Sequence, residues 1–255
     1  MSAHVKLLPG KLVNELQHTA VGTRPSVDKA LISLFLPFVE SQLQIFGEPG
    51  RDIAVRSWNA VWDILLLGAI ADADAMSNFQ SGFPIQSLVR GVDLSVTNYE
   101  LRGFNRGINR ILSTDDITWL RQFFPIARNL LDHDRFRNAV HCLSTYHWHS
   151  LPRARLALIW AGIEGLFGVD SEVVFRISLY VARFLEPFDK DRQEQMFKHV
   201  KSLYKFRSKA VHGGDLKGDI QKGVQDAARL LRTLIRQCSE GNQLPDCEVL
   251  LFQRD

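Results

Sequence analysis

The segment Leu203-Tyr-Lys-Phe-Arg-Ser-Lys-Ala-Val-His-Gly213 places Arg207 five residues before His212. These residue types suit phosphate chemistry. Arginine offers a fixed, planar charge that can stabilise an overcharged phosphorane. Histidine titrates near neutrality and can act as acid or base. Ser208 adds a hydroxyl that can bond a phosphate oxygen or orient His212. Between Glu194 and Asp215 there are five basic residues and no acidic one.

A helix over residues 191–212 would position this set. At 100° per residue, Met196, Val200, Leu203, Tyr204, Ala210 and Val211 share one face, and Lys198, Lys201, Lys205, Lys209 and His212 share the other. The lysine stripe reads either as a solvated face or as a rail that attracts phosphates. Arg207 falls within the apolar face, where an unpaired charge would be costly. It is either paired, with Glu164 as the natural partner, or it lines a groove that binds phosphate. His212 precedes Gly213-Gly214, a natural helix stop, and the helix end favours its protonated form.

One geometric difficulty stands out. Positions five apart on a straight helix point about 140° away from one another. The last turn must distort, the arginine must wrap round, or a partner subunit must supply one member. A second Arg-x4-His match, Arg128 to His133, lacks a basic stripe and is bracketed by Asp132 and Asp134. Those acids would repel a phosphate, so it is the weaker candidate. No acidic and histidine cluster has metal-ligand spacing. His147 and His149, two apart on an expected helix, point apart.

The surrounding pattern is helical from about Asp134 onward. Phe136, Val140, Leu143 and Trp148 mark one segment. Ser150 and Pro152 start another, with Leu156, Ile159, Trp160, Ile163, Leu166 and Phe167 as its apolar face. A third begins at Ser171, carries Val174, Ile177, Leu179, Val181 and Leu185, and stops at Pro187. The last runs from about Ile220 through Leu230, Leu231, Leu234 and Ile235 to Gly241. Short connections imply antiparallel packing in a bundle. The expected class is mainly α, divided into an N-terminal, mostly helical extension (1–125) and a helical bundle (126–255).

The N-terminal portion is less regular. Ser26 is expected to cap a helix running to about Gly47, with Leu31, Leu34, Phe35, Phe38 and Val39 on one side. Trp58, Trp62 and the apolar run Ile64–Ile70 predict a second helix. Residues 76–100, with Pro84, Gly91 and the alternation Val92–Val96, predict loops with one or two short strands. Thr114 or Asp115 is expected to cap a helix through Leu131.

Bulk properties narrow the class. With 45% hydrophobic and 23% charged residues, the chain is neither disordered nor fibrous. The net charge is +3, and residues 1–149 carry 14 basic and 14 acidic groups, so the excess lies in residues 150–255, with 17 and 14. Three separated cysteines give no disulfide framework or zinc pattern, which favours a reducing compartment. The N-terminus does not read as a signal peptide. The run Ile64–Ile70 is far shorter than the roughly 20 residues of a membrane span. A soluble, cytoplasmic protein with no membrane partner is expected.

The segment Leu203–Gly213 resembles the Arg-x4–6-His signature of HEPN (higher eukaryote and prokaryote nucleotide-binding) domains. Its Tyr204, Arg207-Ser208 and Val211-His212-Gly213 context is similar to the ApeA-like branch. Ile159-Trp-Ala-Gly-Ile-Glu-Gly-Leu-Phe167 resembles that branch's earlier helix, which carries a hydrophobic-Glu-x-Leu-Phe run. The likeness covers about residues 130–240, with a fainter one over 50–130 that includes Tyr99-Glu-Leu101. It implies a helical bundle that dimerises and joins two Arg/His motifs across a cleft.

Many such proteins are metal-independent endoribonucleases in RNA processing, toxin–antitoxin pairs or antiviral defence; others bind without catalysis. By position, Arg207 and His212 are the principal pair. Ser208 stands where the family often has Asn or another polar residue. With the resemblance, the residues give these expectations: catalysis by Arg207 and His212 with Ser208 beside them, RNA contacts from the lysine face of Lys198, Lys201, Lys205 and Lys209, support from Glu164 and Tyr204, and no cofactor or metal. The implied partners are RNA, a second copy of the chain, and an antitoxin or defence-system component. The alternative is a non-catalytic module that binds RNA or a nucleotide.

Overall fold

A computed structural model describes residues 5–9, 26–35, 39, 41–73, 79–83, 94–97, 111–169, 171–211, 213 and 218–252. The protein is mainly helical, and the described residues include two small antiparallel strand pairs. It divides into one unit of residues 1–64 and 74–107 and a second of residues 65–73 and 108–255.

In the first unit, β1 (Val5–Pro9) pairs antiparallel with β2 (Ser41–Ile45), Val5 opposite Ile45. Helix α1 (Ser26–Phe35) buries Leu31, Ile32 and Phe35 but leaves Leu34 exposed. The single helix expected from Ser26 to Gly47 is therefore corrected: it ends by Phe35, and Ser41-Gln-Leu-Gln-Ile45 is a strand. Alternating polar and apolar residues suit a pleated strand with a backbone partner. Helix α2 (Arg51–Ala71) follows; its residues up to Ile64 belong to this unit and those from Leu65 to the second. Arg56 Nε donates to Asp52 Oδ1 at 2.8 Å and its Nη1 donates to the Phe46 carbonyl at 2.9 Å, tying the first turn to the preceding chain. Strands β3 (Phe79–Ser81) and β4 (Leu94–Val96) pair antiparallel, in the region where short strands were expected. Phe38, Pro84, Gly91, Val92 and Tyr99–Leu101 lie outside the described residues.

By length and composition alone, α2 suffices to cross a membrane. The expectation drawn from Ile64–Ile70 considered only its most apolar part. Leu66, Ala69, Ile70 and Ala71 are buried, whereas Val55, Trp58 and Val61 are exposed, and 33% of the helix's most apolar stretch is buried.

The second unit is built from helices α3 (Thr114–Leu130), α4 (Asp134–Thr145), α5 (Pro152–Phe167), α6 (Val173–Leu185), α7 (Lys190–Val211), α8 (Ile220–Gly241) and α9 (Cys247–Phe252). Ser113, one residue before the expected caps, closes α3 with a reciprocal box to Asp116. Pro152 occupies the first turn of α5, and Gly168 ends it at φ +66°. Helix α6 starts after Glu172 rather than at Ser171.

All six apolar residues predicted for α5 are buried, as are Leu230, Leu231, Leu234 and Ile235 of α8. These two helices form the centre, and α4 and α7 also pack on α5. The fit is close. A Cβ at Gly162 would come within 2.9 Å of both Cys142 Cβ and Leu231 Cδ2, so the absence of a side chain lets α4, α5 and α8 meet. Where α3 packs on α8, Arg236 lies 4.4 Å from the Trp119 ring centroid, and the Trp119 indole N–H donates to Glu240 at 2.5 Å.

Candidate active site

Helix α7 carries the candidate residues because its apolar face is held by α5 and α6. Val200, Tyr204 and Ala210 are buried, as the helical pattern requires. Val211, expected on the same face, is exposed. It is the last residue of α7. Gly213 adopts φ +77°, the left-handed conformation of a helix stop. His212 and Gly214 lie outside the described residues.

Arg153, at the start of α5, donates from Nη1 to the Ala210 carbonyl at 2.5 Å. That carbonyl is in the last turn of α7, where no further turn supplies a partner. Sequence reading missed Arg153. The available signal was a cation in a helix's first turn, where the helix dipole disfavours it and another partner must exist.

Arg207 Nη2 lies 3.3 Å from Glu164 Oε1, with 18% of the arginine and 24% of the glutamate side chain exposed. Of the two sequence-based alternatives, the paired state is thus present. The pair is loose, however. Arg207 Nε and Glu164 Oε1 are buried without a hydrogen-bond partner, unlike the two-point fork of a strong arginine–carboxylate pair. The guanidinium carbon lies 5.3 Å from the Tyr204 ring centroid, and that ring meets fully buried Trp160 edge-on at 5.0 Å. The indole N–H of Trp160 also has no hydrogen-bond partner. Burial raises the Tyr204 hydroxyl above its ordinary value. The Glu164 carboxylate and a hydrogen bond to it act in the same direction, and the Arg207 charge opposes them. The structure thus brings together Glu164, Tyr204 and Arg207.

The basic residues differ among themselves. Lys198 is exposed and ion-paired with Glu194. Lys201 is half-buried, with its ammonium 5.5 Å from the Phe197 ring centroid. Lys205 and Lys209 are exposed, and Ser208 is half-buried beside Arg207. In the second Arg-x4-His segment, Arg128 is half-buried in α3, while exposed His133 precedes α4 without capping it through its side chain. His147 lies in a 3-10 turn, Tyr146–Trp148, rather than the expected α-helix, and His149 closes that turn in extended conformation. Among the described residues, no three metal-ligating side chains gather.

Comparison with family models, with curated proteins and with solved structures returned no match.

Proposed function

We propose that the chain is a HEPN-type endoribonuclease that cuts RNA by attack of the 2′-OH on the adjacent phosphate. The observation that carries this reading is Arg207, which keeps 18% of its side chain exposed and is held by Glu164 through one 3.3 Å contact, near the end of a lysine-bearing helix. A guanidinium held by one loose contact can offer its exposed part to a phosphate oxygen while Glu164 keeps hold of Nη2. Arg207 stabilises charge on the phosphorane, and Ser208 contributes a hydrogen bond. His212 moves the proton, as base toward the 2′-OH or acid toward the departing 5′-oxygen. The 2′-oxygen–phosphorus bond forms, the phosphorus–5′-oxygen bond breaks, and the products are a 2′,3′-cyclic phosphate and a 5′-OH.

The bundle of the second unit would then be of HEPN type and would act as a homodimer in the cytoplasm, in RNA processing, defence or a toxin–antitoxin pair. The experiment is cleavage of RNA in EDTA, beside a substrate carrying deoxyribose at the scissile position. Ordinary RNA is expected to be cut to a cyclic phosphate and the substituted one to survive. Cutting of the substituted substrate, or its arrest by EDTA on ordinary RNA, defeats the mechanism. Arg207→Ala and His212→Ala are expected to lose on the order of 100-fold or more in rate. Arg128→Ala and His133→Ala should stay close to wild type.

The Glu164 contact also favours a second reading, a non-catalytic module, because it offsets the charge that a phosphate would meet. Wild-type protein that binds RNA without cutting it would support that reading.

A further inference from the structure

We propose that Phe175 and Phe197 form a stacking platform for an unpaired RNA base, away from the candidate active site; this rests on the reading of the chain as RNA-directed. Phe175, near the start of α6, is 54% exposed. Its ring meets that of Phe197 on α7 at 5.9 Å and 72°, edge to face. A single exposed phenylalanine is ordinary on a protein surface. This pair carries more, because Lys201 places its ammonium 5.5 Å from the Phe197 centroid.

The platform also aligns with the candidate site. Phe197, Lys201, Lys205 and Ser208 follow one another at intervals of four, four and three, so they lie along one side of α7. Eleven residues of helix put Phe197 about 16 Å from Ser208, a span that a few nucleotides bridge. Lys201, Lys205 and Lys209 have no ion pair among the described residues. The nearby carboxylates are occupied, Glu172 by Arg176 at 3.5 Å and Glu194 by Lys198.

Charge therefore selects a polyanion, and the exposed Phe175 ring, set edge to face on the half-buried Phe197, selects a flat apolar partner. A single strand offers both in alternation, phosphate and base, whereas a duplex keeps its bases stacked on one another. Phenyl rings read no hydrogen-bond pattern, so the platform accepts any base.

The test uses the full chain and a short single-stranded 2′-O-methyl RNA, which binds but has no 2′-OH to attack. Phe175→Ala is expected to weaken binding roughly 10-fold, the ordinary loss for one stacked base, with thermal unfolding unchanged. Phe175→Trp is expected to hold or improve affinity, and the corresponding duplex to bind all three proteins alike. Equal affinity of Phe175→Ala and wild type overturns the platform. So does conversion of a dimer to a monomer by Phe175→Ala, which would make the patch a contact between copies. The two readings fail separately. Wild type that cuts RNA with Phe175-independent binding loses only the platform; wild type that binds through Phe175 but never cuts loses only the nuclease.

Discussion

Arg207 and Glu164 share one 3.3 Å contact and leave an atom unmet on each side, so charge removal has opposite effects on folding and binding. Glu164→Gln preserves shape but leaves a half-buried guanidinium without its counter-charge, expected to cost on the order of 1–3 kcal/mol. The same change frees Arg207 for a phosphate. Calorimetry should therefore show a lower Tm, while uncleavable RNA binds more tightly. A lower Tm with unchanged affinity would leave the arginine a purely structural role. This pair was legible because Arg207 interrupts an apolar face and Glu164 flanks another. Arg153 was harder to read: a cation in a helix's first turn signals an outside partner, but a backbone carbonyl such as that of Ala210 leaves no side-chain pattern to name it. The thiols allow a second expectation. Burial pushes Cys142 up to about 11 and Cys238 up to about 12, from an ordinary 9.0. Folding thus favours the protonated thiols. Their contribution is complete below pH 9 and lost as pH rises toward 11 and 12. Urea unfolding measured from pH 8 to 11 should lose stability less steeply in the Cys142→Ala, Cys238→Ala variant. Parallel curves would assign the decline elsewhere.

At the scale of elements, local period decided what could be read. The centres of α5 and α8 repeat apolar residues at helical spacing, and the expected boundaries of α8 match Ile220–Gly241. The Ser41–Ile45 strand escaped because its partner, Val5–Pro9, lies far away in sequence; its five residues follow directly on a helical pattern. Close approach between helices escaped as well, since a glycine inside a helix does not announce its neighbour. Gly223 is such a case. A Cβ there would come within 2.4 and 2.8 Å of Phe206 ring atoms. Phe206 follows Lys205 on α7, so this contact fixes how α7 sits on α8 beside the candidate site. Gly223→Ala would improve helix propensity yet is expected to destabilise by roughly 1–3 kcal/mol through overpacking. Denaturant titration checks the sign, and Phe206→Leu in the same background should recover part of the loss. A stabilised single variant would mean that the ring swings aside freely.

At the scale of the molecule, the proposed chemistry turns on how many chains build one site. Helix α7 is regular through Val211, and residues five apart on a regular helix diverge by about 140°, so an uninterrupted helix would turn Arg207 and His212 apart. A single protomer then has difficulty in presenting both groups to one phosphate. In a two-fold dimer each surface faces its own copy, so the arginine of one chain can meet the histidine of the other. That arrangement has a numerical signature. Arg207→Ala and His212→Ala proteins, each inactive alone, are unfolded together and refolded as a mixture. Half of the resulting dimers are mixed by chance, and each mixed dimer holds one site with both native groups and one with neither. Cleavage should return to about a quarter of the wild-type rate. If each chain supplied its own pair, every site in the mixture would lack one group and no activity would return. Light scattering on the wild type supplies the independent check, since a strict monomer at micromolar concentration removes the shared site altogether.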